Sequence, residues 1–160
     1  ALDARRPHPL VLLSLADARR EELDRLSAAG ASAVFLPRET LHLRTALPPL
    51  LEALAAGLCP ALGTGSPAAS PSLDVLAEAA ALRARFPTVP ARALFAMCTA
   101  WGADALGLPL HGRLEPGARP GLLAFALPAS HATVSDPFAH VLASPVSSRA
   151  WACAPTQLAL

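Results

Sequence analysis

Three short groups of polar residues, each following an apolar run, mark where this sequence places groups able to do chemistry. Ser14 and Asp17 end or follow residues 9–15 (PLVLLSL), Arg38, Glu39, Thr40 and His42 follow residues 31–36 (ASAVFL), and Thr64, Gly65 and Ser66 follow residues 59–63 (CPALG). Apolar runs of this length read as strands buried on both faces, and α/β proteins carry their reactive groups in the loops at the C-terminal ends of such strands. The groups offered are carboxylates and hydroxyls for proton transfer and one imidazole for metal ligation or base catalysis. His42 is the only one of the five histidines in these loops. His8 precedes the first run, and His111, His131 and His140 lack metal-ligand spacing. Ser14 and Asp17 form no triad with a distant histidine by spacing, and Arg38 beside Glu39 is ordinarily a solvated pair. Ser66 and Ser70 read as turn and cap residues.

The elements that must position these loops alternate between strand and helix. Asp17 is placed to cap a helix over residues 19–29, in which Leu23 and Leu26 share a face and Gly30 is the stop. Leu47, Leu50, Leu51, Leu54 and Leu58 follow helical spacing, with Pro48 and Pro49 tolerable in a first turn. After the loop at 64–72, Val75, Ala79, Leu82 and Phe86 form one apolar helical face. Three β-then-α units in succession imply a parallel sheet. From Thr88 the pattern changes. Residues 90–99 read as a helix, residues 102–106 as a shorter helical turn ended by Gly107, and residues 111–127 as β-hairpin material around Pro116-Gly117 and Pro120-Gly121. A turn of helix is expected over residues 137–142 and an edge strand over residues 148–153.

Composition narrows the function classes. The chain has 160 residues, 53% hydrophobic and 16% charged, with a net charge of +1. It can bury a core but falls short of the roughly 250 residues of a closed (β/α)8 barrel. The absence of Lys, Asn, Ile and Tyr follows genomic base composition. Scattered arginines form no stripe for nucleic acid, and no apolar run is long enough to span a membrane. Cys59, Cys98 and Cys153 lie far apart, which points to buried free thiols and a cytoplasmic setting rather than a disulfide framework.

The stretch from Cys59 to Glu78, CPALGTGSPAASPSLDVLAE, resembles the last barrel strand of the amidohydrolase superfamily, in its aminohydrolase, deaminase and chlorohydrolase branch, where the pattern is L-G-T-D-S-x-A-S-x-x-S-L-D. The second half continues the resemblance. Residues 100–108 and the run Gly112-Arg113-Leu114-Glu115-Pro116-Gly117 are similar to the family's G-A-x-A-L-G-L and G-x-L-E-P-G-K-x-A-D-L, with Ala118, Pro120 and Gly121 departing from it. Residues 146–153 resemble the closing strand of the small β-sandwich beside the barrel.

The resemblance implies an α/β fold: strands 6 to 8 of a TIM-like barrel with their helices over residues 1–108, and returning strands of a composite β-sandwich over 109–160. It implies a Zn²⁺ or Fe²⁺ site that activates water against a C–N bond, held by histidines after strands 1, 5 and 6 and by an aspartate after strand 8. Here the strand-6 histidine position falls on Ser14, sixteen residues before Gly30, a second histidine position falls on Asp17, and the aspartate position falls on Gly65. The expectation is a degenerate, catalytically silent relative or fragment of an aminopurine-type deaminase, with no cofactor of its own. The alternatives are the C-terminal half of an active hydrolase, or an interaction module in which an open barrel edge pairs with a second copy or a paralogue.

Overall fold

A computed structural model describes residues 10–70, 72–119, 121–125, 135–143 and 149–153 of the chain. Strands β1 (Val11–Leu13), β2 (Ser32–Phe35) and β3 (Ala61–Leu62) form a parallel sheet in the order β1-β2-β3. Helix α1 (Arg20–Ala28) joins the first two strands, and α2 (Pro37–His42) and α3 (Leu50–Ala55) lie between the second and third. Then come α4 (Val75–Arg85), α5 (Ala91–Cys98) and α6 (Ala100–Ala105). Strand β4 (Leu122–Phe125) pairs antiparallel with β5 (Arg149–Cys153), and α7 (Pro137–Ala143) lies between them in sequence.

Sequence periodicity accounts for most of these elements, and local chemistry for their ends. Helix α1 starts later than Asp17: the exposed Asp17 is not its cap, and the Glu22 carboxylate reaches back to accept from the Arg19 amide at 2.7 Å. Gly30 takes a left-handed φ of 64° where the chain turns into β2. The loop expected after β2 is the short helix α2. Pro37 at its first position presets φ, and the Thr40 hydroxyl donates to Leu36 O at 2.8 Å, so Thr40 is buried in the helix and not offered to a ligand. Helix α4 begins after Asp74, whose carboxylate accepts from the Leu76 amide at 3.1 Å, and Ser70 is not its cap. The hairpin expected over 111–127 is absent from the described residues there: the 112–119 segment is turn, and β4 finds its partner in β5. Arg113, in that turn, grips Asp104 of α6 with both terminal nitrogens at 2.9 and 2.8 Å. Those bonds hold the Asp104 carboxyl below its usual range.

The core lies between the sheet and helices α1, α3, α4 and α5, around Phe35, Leu23, Leu50, Leu82, Leu94 and Met97. Cys98 is close to this core, its thiol donating to Val75 O at 3.4 Å, and burial pushes that thiol up to about 12, with Asp74 and Glu78 adding to the rise. Cys59 is exposed, against the expectation of buried thiols, because it precedes β3 and lies outside the sheet. The side chain of Cys153 lies outside the described residues. Strand β1 also departs from expectation. Leu10 is 57% and Leu13 61% exposed, since β2 alone pairs with β1 among the described residues. No helix among the described residues is long and apolar enough to cross a membrane.

Phe35→Ala, which empties the centre of the core, is expected to cost about 3 to 5 kcal/mol in denaturant unfolding. Leu106→Ala, at a position 75% exposed, should stay within about 0.5 kcal/mol of the parent protein.

Candidate functional site

Parallel pairing brings the three polar loops to one edge of the sheet. Two backbone hydrogen bonds extend the ladder past the strands: the Ser14 amide donates to Val34 O at 2.8 Å and the Gly63 amide to Phe35 O at 2.9 Å. Beyond β1 the chain bends sharply, with Ser14 at φ 72° and Leu15 at φ 54°. Consecutive left-handed residues with side chains cost energy that packing elsewhere must hold in place. Ser14 and Asp17 line an open concavity of about 610 Å³ between β1 and α1, together with Leu12, Leu15, Glu22 and Arg25. Their side chains make no hydrogen bond or ion pair to the other two loops among the described residues.

The loops after β2 and β3 are joined by a buried carboxylate. Glu78, on α4, is 0% exposed. Its Oε2 accepts from the Arg38 backbone amide at 2.7 Å, and its Oε1 is 3.3 Å from the Ser70 hydroxyl and 3.9 Å from the Arg38 guanidinium. That guanidinium also donates to Ser72 Oγ at 3.1 Å and Ser72 O at 3.3 Å. The single Ser70 proton lies within reach of both Ser72 O, at 3.1 Å, and Glu78. Burial pushes the Glu78 carboxyl up, opposed by the bonds from Arg38 and Ser70, and the charge of Glu39 adds to the rise. Arg38 therefore pairs with Glu78 and not with its neighbour Glu39.

Glu39 turns the other way. Gly65 has a left-handed φ of 62°, and the place where a β-carbon would stand on it is taken by the Glu39 carboxylate. No hydrogen-bond or cationic partner of that carboxylate occurs among the described residues. The other residues singled out from sequence stand apart. Thr64 is half-buried, Ser66 closes its own turn by accepting from the Ala68 amide at 3.2 Å, and His42 is exposed at the end of α2. His111 has its Nδ1 enclosed without a hydrogen-bond partner among the described residues, where it belongs to no group of three His, Cys, Asp or Glu able to hold a metal. His131 lies outside the described residues. Glu78 went unnoticed in the sequence, though it falls three residues after Val75 and four before Leu82, on the inward apolar stripe where an unpaired charge is not tolerated.

A sequence model described as "Amidohydrolase family" matches residues 8–150. The chain belongs to this family. The protein named 5-methylthioadenosine/S-adenosylhomocysteine deaminase in Halobacterium salinarum is 38% identical over 128 residues, which cover 75% of this chain and 30% of that protein. The one of the same name in Haloquadratum walsbyi is 37% identical over 120 residues, 71% of this chain and 27% of its own length. The chain thus spans less than a third of these relatives. Among solved structures, a triazine hydrolase variant superposes with a TM-score of 0.78 at 26% identity, covering 89% of this chain and 34% of that one. Atrazine chlorohydrolase from Arthrobacter aurescens TC1, complexed with zinc, gives 0.76 at 27% identity over 87% of this chain and 33% of its own. An adenosine deaminase from Xanthomonas campestris with bound zinc gives 0.76 at 22%, covering 84% and 33%, a likeness of fold. The mixed α/β architecture is therefore that of amidohydrolases, matched over part of their chains.

Three strands of an amidohydrolase are not where a complete metal site is sought, and no group of three His, Cys, Asp or Glu able to hold a metal occurs among the described residues. Donor chemistry at the two positions where the resemblance implies ligands is more telling. Ser14 offers a neutral hydroxyl and Gly65 nothing, so these residues do not fit the zinc of the solved relatives.

The raised Glu78 carboxyl has a definite pH signature. Its folded state holds a proton more tightly than the unfolded chain, whose carboxyl titrates near 4.5, so the stability it lends below that pH is lost as pH rises through the folded value. Glu78→Gln removes this titration while keeping an oxygen to accept from Arg38. The variant should gain stability relative to the parent as pH rises from 4.5 toward neutrality, read by denaturant unfolding at several pH values.

Proposed function

We propose that this chain is the strand 6 to strand 8 part of an amidohydrolase barrel, residues 1–108, with the returning strands of the composite β-sandwich over 109–160, and that its catalytic edge no longer supports metal-dependent deamination. The substrate class from which it has departed is that of its named relatives, 5′-methylthioadenosine and S-adenosylhomocysteine, whose exocyclic C–N bond is hydrolysed. The observation that carries this reading is at Gly65: its side-chain space is held by Glu39, and its left-handed φ strains any replacement. An aspartate there must move the Glu39 carboxylate aside and take up a left-handed φ. Ser14 withholds the nitrogen that the resemblance places after strand 6.

The purified chain is expected to retain no stoichiometric zinc or iron after dialysis, measured by elemental analysis, and to leave 5′-methylthioadenosine unchanged with zinc added. Turnover abolished by a chelator and restored by zinc would overturn the reading, with Glu39 and His42 the first ligands to substitute.

A second reading is favoured by β1. Among the described residues it has a strand partner on one side only, and it is flanked by exposed Leu10 and Leu13 and by the concavity at Ser14 and Asp17, a surface fit to pair with a second copy or a paralogous subunit. The chain should then scatter light as a dimer or larger species at micromolar concentration. A monodisperse monomer across a wide concentration range counts against this.

A further inference from the structure

We infer that Glu78 is a positioning residue: by gripping the Arg38 amide it fixes the first turn of α2, so that Glu39 lays its carboxylate over Gly65 and this edge of the sheet presents a carboxylate carried by α2 in place of one carried by β3. Three observations on separate elements support it. The grip is short, 2.7 Å, and made to backbone, so it sets the path of the chain at position 38 whatever the side chain there does. The carboxylate that makes it is itself held, fully buried on α4 with Ser70 at 3.3 Å. Its direct output is the next residue, Glu39, whose carboxylate reaches the space that a side chain at Gly65 would fill.

The three residues are thus one unit drawn from α4, α2 and the β3 loop. Glu78 acts through the Arg38 amide on α2 and through the Ser70 hydroxyl on the loop that carries Gly65, while Glu39 is the group a ligand would meet. The inference stands apart from the question of turnover, since it concerns which residue supplies the carboxylate and what holds it there.

The test is the proximity of Glu39 to Gly65 in the full chain, read by NMR as cross-relaxation between the Glu39 side-chain methylene protons and the Gly65 α-protons. The parent protein should show it. Glu78→Gln, which keeps an acceptor oxygen for the Arg38 amide, should retain it, and so should Arg38→Ala, which removes the guanidinium but not the amide. Glu78→Ala should lose it while contacts among Phe35, Leu82 and Leu94 persist. Should Glu78→Ala fail to fold, a double-mutant cycle replaces it: Gly65→Ala should lower Tm more in the parent than in Glu39→Ala, because only the parent has a held carboxylate to displace. Loss of the contact in Glu78→Gln or in Arg38→Ala, its persistence in Glu78→Ala, or additive Tm shifts in the cycle would overturn the inference.

Discussion

A carboxylate with no access to water is tolerable only where the protein replaces the hydration it gave up, and Glu78 is such a group. Much of the sheet edge follows from that demand. The Arg38 amide, free because it stands at the start of a helix, is one replacement, and it draws α2 against α4. The Ser70 hydroxyl is another, and it folds the 64–74 segment inward so that Ser72 meets the Arg38 guanidinium. The bonds that satisfy one buried charge therefore set two of the three polar loops that follow the strands. Breaking one partner of such a group costs more than the bond itself, since the charge then stays buried without compensation.

The third loop is built on a different principle. At Ser14 and Leu15 no buried charge organises the backbone, and the bend is held by the Ser14 amide on Val34 O and by packing of Leu15 and Ala18 against the core. The two sides of the edge differ in kind: β2 and β3 carry a polar network, while β1 carries strained backbone beside an apolar surface. That division matches the two proposed roles, a rebuilt ligand-side carboxylate on one side and a pairing surface on the other.

How much was legible in the sequence divides along the same physical lines. Apolar runs and helical spacing located β1, β2, β3, α1, α4 and α5, because burial of a face is written at a fixed period. The family resemblance located Ser14 and Gly65 by counting. What it could not convey was reach. Glu39 reads as one half of a solvated pair with Arg38, yet the two diverge, because a buried acceptor forty residues away takes the arginine. Thr40 reads as a loop hydroxyl and is consumed by its own helix, since Pro37 starts α2 where a loop was expected. The hairpin over 111–127 failed for a related reason: turn residues mark where a chain reverses but not which strand it meets next, and β4 meets β5.

The occupancy of Gly65 also bears on the history of this chain. Some glycine codons differ from aspartate codons by one base, so an exchange between the two residues is ordinarily a simple change. With the Glu39 carboxylate in that space, an aspartate at residue 65 would bring a second acidic group to one volume on a backbone of left-handed φ. Any side chain placed at residue 65 is thereby coupled to the conformation of residue 39. At that position the neighbouring side chain, and not the codon alone, decides how an acidic group is accommodated.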